Sequence, residues 1–271
     1  MRDKQMAALF ISAGGGVAEP REEPEIRLFG YRFHPRSKEK LLDLIFEDRP
    51  PGHEITIASA NVHGLYMFER HREYRELHAR QTTHVLVDGM PIVWLLRAFG
   101  HDVDRRHRTT WLDWFEDALG RAAANGRRVF VLGHAASAVK TGLERAKRRW
   151  PGFEIDGADG YFDIDDAAAC RAKVATINGF VPHILFVGMG MPKQEIFAAR
   201  YRDEIAAPVV GLGGAAFAYF TGDQAAPPRW MGQAGLEWAC RLAANPRRLA
   251  GRYTVEPVLL AAALTARLIR K

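Results

Sequence analysis

Short apolar runs alternate along most of the chain with longer stretches whose apolar positions recur every three to four residues. Residues 26–33 read as a first strand or hairpin, and Ser37 as the N-cap of a helix over 38–46. Strands are then predicted over 55–59, 83–87, 128–132, 153–155, 183–187 and 208–212. Helices over 61–80, 92–99, 111–125, 137–150, 165–178 and 193–201 fall between or after them. This order predicts an α/β fold: a Rossmann-like, mostly parallel sheet with helices on both faces. After Gly222 the strand pattern stops, and helices over 230–243 and 257–270 remain. The predicted organisation is a loose N-terminal arm over 1–25, an α/β core over 26–222 and a C-terminal helical appendage over 223–271.

Composition adds little to that picture but removes alternatives. The 271 residues are 48% hydrophobic and 26% charged, which excludes a disordered or fibrous chain. No apolar run nears the ~20 residues of a membrane-spanning helix, and no signal-peptide pattern opens the chain. Cys170 and Cys240 lie far apart and outside any C-x-x-C, which argues against a disulfide framework and a structural zinc. The expected compartment is reducing and cytoplasmic.

Charge is informative through its distribution. Residues 241–271 hold seven basic side chains and one acid, Glu256, so they carry all of the net charge of +6. A neutral body with a basic tail suggests a polyanion touched by one end: anionic lipid, diphosphate or nucleic acid. A solvated helix face is the bland alternative. The apolar stretch 258–264, with Leu268 and Ile269, is flanked by Arg252, Arg267, Arg270 and Lys271. It is too short to span a bilayer and suited to lie in its interface, or else to dock on the core.

In an open α/β sheet, ligands sit at the carboxyl ends of the strands. Polar or glycine-rich turns fall there at 59–61, 88–89, 133–134, 188–190 and 211–214. Asp88 directly follows Val85-Leu86-Val87, where a carboxylate can take a proton from an attacking hydroxyl or simply cap the next helix. Gly190-Met191-Pro192-Lys193-Gln194-Glu195 opens a helix with polar side chains able to reach a phosphate or sugar. Gly211-Leu212-Gly213-Gly214-Ala215-Ala216 fits a dinucleotide fingerprint formally. It follows the last strand rather than the first, so it is a weak signal for NAD. Asp102-Val103-Asp104 and Asp163-Ile164-Asp165 have the D-x-D form of a metal site, yet the second, with Asp166, reads better as a helix start. His71 and His78 are expected at the surface.

Together these turns resemble the bacterial WecG/TagA/CpsF glycosyltransferases, glycosyltransferase family 26, from about residue 26 to 253. Asn61, Asp88-Gly89, Arg108 with Asp113, Val131-Leu132-Gly133, Gly160-Tyr161-Phe162, the Gly188–Glu195 run and Gly213-Gly214 occur in the family's order. So do Gly235-Leu236-Glu237-Trp238 with Arg241-Leu242, then Pro246-Arg247-Arg248 and Arg252-Tyr253. The resemblance implies transfer of a sugar from a UDP-sugar to a polyprenyl-diphosphate-linked saccharide, at the cytoplasmic face of the membrane and without a metal or other cofactor. It implies Asp88 as general base. It implies Ser59 (at a position usually Thr), Asn61 and Gln194 in the sugar and acceptor pocket. Gly89, Asp113, Gly188, Gly190, Lys193, Glu195 and Gly213 are expected substrate contacts through the same motifs, with Arg108. Arg241, Arg247, Arg248 and Arg252 are expected over the leaving UDP. Three departures stand out. The family's R-A-P reads Ala226-Pro227-Pro228, its F-D reads Phe217-Ala218, and a longer loop leaves Arg106 and Arg108 as rivals for one role.

Such a reaction needs a base for the acceptor hydroxyl and charge stabilisation for the departing diphosphate, and direct attack inverts the anomeric centre. The expected partners are the UDP-sugar, the lipid-linked saccharide and an anionic membrane surface, not nucleic acid; a homo-oligomer is compatible with all of this. The competing readings are an NAD-dependent Rossmann enzyme and a non-catalytic anionic-lipid-binding protein.

Overall fold

The computed structural model describes residues 25–214 and 216–269. The arm expected over 1–25 therefore lies, Glu25 apart, outside the described residues. Strands β1 (Ile26–Leu28) and β2 (Tyr31–Phe33) form an antiparallel hairpin turned by Phe29 and Gly30. Helix α1 (Lys38–Phe46) starts at Ser37, whose hydroxyl accepts the Lys40 N–H. The main sheet has six parallel strands: β3 (Ile55–Ala60), β4 (Thr83–Val87), β5 (Val129–Gly133), β6 (Ile155–Ala158), β7 (Ile184–Gly188) and β8 (Val209–Leu212). Their order is β4-β3-β8-β7-β5-β6.

Side chains alternate across the sheet as a period of two requires. Val129 and Val131 pack on one face with Trp114, Phe115 and Phe186, beneath α1, α5 (Trp111–Ala124), α6 (Ala136–Arg149) and α9 (Ala216–Thr221). Phe130 and Leu132 point the other way, with Leu185, Val187 and Phe197, beneath α7 (Ala167–Phe180) and α8 (Lys193–Tyr201). The strands are largely apolar because both faces are covered.

Between β3 and β4 the predicted single helix is two, α2 (Val62–Arg70) and α3 (Arg72–Ala79), broken at an extended His71. The Arg75 guanidinium donates to the freed carbonyls of Phe68 and Glu69 and so stabilises the break. His78, expected at the surface, is buried; it stacks on Tyr74 at 4.3 Å, and burial pushes its pKa down to about 4. Helix α4 (Met90–Ala98) follows β4.

The predicted helix over 230–243 is also two, α10 (Arg229–Gln233) and α11 (Glu237–Ala244). Gly235, at φ +75°, makes the left-handed turn that ends the first, with Leu236 N–H bonded to Met231 O at 2.7 Å. Helix α12 (Pro246–Ile269) starts eleven residues earlier than predicted, so Pro257 falls inside it. This helix is docked. Leu260 is buried in a cluster with Tyr31, Leu65 and Phe68, and Arg267 donates to Glu69 and to the carbonyl of Phe29.

Candidate active site

The carboxyl ends of β3 and β4 meet the appendage helices at a cleft of about 310 Å³. Asn61, His63, Asp88, Gly89, Arg108, Glu237, Trp238, Arg241, Arg252 and Tyr253 are among its walls. Asp88 is placed by backbone: its N–H donates to Ala60 O at 3.0 Å, continuing the sheet by one bond. Gly89, at φ +100°, then turns the chain into α4, a conformation an L side chain resists. Asn61 caps α2 by accepting the Gly64 N–H at 2.9 Å, and its amide donates to Asp88 Oδ2 at 2.9 Å.

Arg108 is fixed beside this pair by a parallel bridge between its backbone and Val87. Its buried guanidinium meets Asp113 at 3.2 Å and Glu237 at 3.4 Å. Arg106, the rival, is exposed and held by Asp104 at 2.7 Å, so Arg108 is the one that reaches the cleft. Asp113 acts behind it, capping α5 through the Thr110 hydroxyl and N–H. Burial raises the Glu237 carboxyl above its ordinary range, with Arg108 opposing.

Arg241 and Arg252 reach the cleft from α11 and α12. The Nε of each is buried with no hydrogen-bond partner among the described residues. Their guanidinium carbons stand 5.7 Å from the Tyr219 ring and 5.9 Å from the Tyr253 ring respectively. Burial lowers the Arg252 pKa; at Arg241 it is outweighed by Tyr219, Asp88, Tyr253 and Glu237, and the charge is held more firmly. Withdrawing cations from water without an anion is costly. Two such groups facing one cleft make a site for a polyanion. Arg247 is exposed and does not line the cleft, and the Arg248 side chain lies outside the described residues.

The other expected contacts are elsewhere. Ser59 is turned into the core, where its hydroxyl accepts the Trp111 indole N–H at 3.0 Å. Gly188, Gly190, Lys193, Gln194, Glu195 and Gly213 gather at the ends of β7 and β8 without lining the cleft. Gln194 is buried and spends both ends internally: its oxygen accepts the Gly190 N–H at 3.1 Å and its amide donates to Glu195 at 2.8 Å. Glu195 is fully buried, Oε2 has no partner among the described residues, and burial pushes its pKa up to about 7 against the Gln194 hydrogen bond. Lys193 is exposed on the first turn of α8. A Cβ on Gly213 would stand 2.3 Å from the Trp111 ring, so that glycine serves packing.

Of the aspartates in and beside the D-x-D pairs, Asp166 and Asp104 cap helix starts. Asp163 accepts the Asp165 N–H, Asp166 caps α7 at Ala168 and Ala169, and Asp165 pairs with Arg200. Asp104 caps the short helical turn Arg105–His107. Among the described residues no cluster of three or more metal-ligating side chains forms. Likewise, no described helix is long and apolar enough to cross a membrane. Large apolar side chains are nevertheless exposed on the appendage and beside it: Trp230, Trp238, Val258 and Leu259, with Trp94 on α4.

The residue-based reading missed His63, whose Nδ1 lies 2.6 Å from Glu256 Oε2, and assigned no role to Glu237. Spacing carried a signal for the first only: His63 lies two residues after the cap Asn61, on the first turn of α2.

The family model described as "Glycosyl transferase WecG/TagA/CpsF family" matches residues 26–271. The chain belongs to this family. Three relatives carry the name N-acetylglucosaminyldiphosphoundecaprenol N-acetyl-beta-D-mannosaminyltransferase. The Bacillus spizizenii protein is 35% identical over 60% of this chain and 62% of its own length, so the match spans less than two thirds of that relative. The Bacillus subtilis protein is 29% identical over 71% of this chain and 72% of its own. A Staphylococcus aureus protein is 26% identical over 75% and 77%.

Proposed function

We propose that this chain is an inverting glycosyltransferase that moves a sugar from a UDP-sugar to a polyprenyl-diphosphate-linked saccharide in bacterial cell-surface polysaccharide synthesis. The observation that carries this reading is one cleft lined by a carboxylate on the core and two unpaired guanidinium groups on the appendage. Asp88, oriented by Asn61, takes the proton of the acceptor hydroxyl as that oxygen attacks the anomeric carbon. The bond to the UDP oxygen breaks, and Arg241 and Arg252 receive the charge that develops on the diphosphate. Attack opposite the leaving group converts an α-linked donor into a β-linked product. Arg108 stands between Asp113 and Glu237 and sets the wall beside Asp88.

In this reading the guanidinium groups do the work a divalent metal does elsewhere; of the D-x-D aspartates, Asp163 closes a turn, Asp165 pairs with Arg200 and Asp104 caps a helical turn. The relatives' printed name supports a lipid-linked acceptor. The basic appendage with its exposed tryptophans supports work at the cytoplasmic face of the membrane as a peripheral protein.

The test is a screen of UDP-sugars for UDP release with a polyprenyl-diphosphate saccharide acceptor, with and without excess chelator. One donor should support turnover in both conditions. Loss on chelation with rescue by Mg²⁺ or Mn²⁺ would overturn the metal-free part. Thermal stabilisation by NAD and not by UDP would favour a dinucleotide enzyme instead.

A further inference from the structure

Arg252 and Glu256 are four residues apart on α12, the spacing at which an arginine and a glutamate on one helix pair readily. They do not pair here. Glu256 Oε2 instead lies 2.6 Å from His63 Nδ1, across the α2–α12 contact, and the Arg252 Nε remains buried with no hydrogen-bond partner among the described residues. Both members of the His63–Glu256 pair are mostly buried, at 13% and 17% exposure. Glu256 is also the sole acid of residues 241–271, hence the one carboxylate on α12 able to neutralise its arginines.

The geometry points to His63 as a positioning residue: it holds the Glu256 carboxylate away from Arg252 and so keeps that guanidinium free for an anionic diphosphate. This inference rests on the proposed diphosphate role of Arg252.

The surroundings make the arrangement specific. Arg252, Glu256 and Leu260 form one stripe of α12, at successive steps of four. Leu260 is buried against α2, and Arg267 further along is tied to Glu69 near the other end of α2, so the register of the two helices is set independently of His63. With that register fixed, Glu256 has two partners within reach, one on each helix. Burial and the nearby Arg252 lower the His63 pKa, against the hydrogen bond and charge of Glu256. A ring donating Nδ1–H to the carboxylate engages Glu256 from the α2 side. The tyrosine ring beside Arg252 offers a soft π-face only, which does not compete with a phosphate for its N–H groups.

The experiment measures the Kd of UDP, and separately of inorganic pyrophosphate, for four full-length chains: wild type, His63→Ala, Glu256→Gln and the double variant. His63→Ala releases Glu256 onto Arg252 and should weaken both ligands by about tenfold, the scale of one charge-assisted hydrogen bond. Glu256→Gln alone should bind as tightly as wild type, and in the double variant it should restore affinity. A role in merely anchoring α12 predicts the opposite: both single variants weaken binding, and the double is no better than His63→Ala. That pattern would overturn the inference, as would unchanged affinity in His63→Ala with the fold intact by melting temperature. A wild-type chain that binds neither UDP nor pyrophosphate would overturn the diphosphate reading of Arg252 and this inference with it.

Discussion

Asn61 uses the two ends of one amide for two tasks: its oxygen caps α2 at Gly64 and its nitrogen holds Asp88 Oδ2 at 2.9 Å. The start of a helix and the orientation of the proposed base are therefore set by the same side chain. Asp88→Asn should lower transfer about 100-fold or more while leaving the melting temperature close to wild type, because an amide cannot take the proton. Full activity in that variant would remove Asp88 from the mechanism. Asn61→Ala should cost both activity and roughly 1 kcal/mol of stability, since it deletes a cap as well.

Arg252 and Arg247 give a contrast within one helix, the first in the cleft and the second outside it. Arg252→Ala should weaken UDP binding about tenfold or more. It should leave stability unchanged or improved, because it removes a cation whose Nε is buried without a hydrogen-bond partner among the described residues. Arg247→Ala, on the exposed first turn of the same helix, should change UDP affinity by no more than roughly twofold. Calorimetric titration of both variants checks this, and equal losses would contradict the cleft geometry.

Glu195 makes a pH prediction. Its folded pKa is raised from 4.5 to about 7, so the folded state holds the proton more tightly than the unfolded one. Its contribution to stability is then full below pH 4.5 and is lost as pH rises towards 7. Glu195→Gln keeps an uncharged side chain of the same size and escapes that loss. The melting temperature of the variant relative to wild type should rise between pH 4.5 and 7 and stay flat above. The full difference should be on the order of 3 kcal/mol. A difference independent of pH would mean that Glu195 ionises normally.

Membrane binding should respond to aromatic residues as well as to salt. Of the seven basic residues in the tail, Arg241 and Arg252 face the cleft and Arg267 is paired with Glu69. Fewer are thus free for lipid than the raw charge suggests, and each contributes only about 1 kcal/mol near an anionic surface. Exposed Trp94 and Trp230 should supply part of the hold. The full chain should co-sediment with anionic vesicles, less so at high salt, and Trp94→Ser with Trp230→Ser should reduce binding at every salt concentration. A chain ending at residue 240 should lose it. Undiminished binding by that chain would mean that the basic tail is not the membrane element.

The alternation of short apolar runs with amphipathic stretches was enough to read the parallel sheet and both covered faces from the residues. Asp88 and Asn61 were legible for the same reason, because residues that directly follow strands fall at one edge of such a sheet. What the pattern cannot state is which way a polar side chain at that edge turns. Ser59 is the last but one residue of β3 and faces the Trp111 indole in the core. Gln194 and Glu195 look solvent-seeking in sequence but are buried, the Gln194 amide bonded to Glu195 and its oxygen to the Gly190 N–H. The appendage was misread where long-range contacts decide. Gly235 ends one helix by a backbone turn, and Leu260 draws α12 onto α2 despite Pro257. His78 looked like a surface residue until the ring of Tyr74 covered it.

The cleft is assembled from two parts of the chain, a carboxylate carried at the end of the sheet and cations carried by helices that pack onto it. Water is always present at 55 M in bulk, as a rough figure, and is a ready rival to any acceptor hydroxyl once a donor sugar is activated. In the proposed reaction the carboxylate can do little unless the appendage arginines are also in place, so activation of a donor is tied to the packing of α11 and α12 on the core. On that reading, dividing the site between core and appendage ties donor activation to an intact, packed cleft and so limits wasteful hydrolysis.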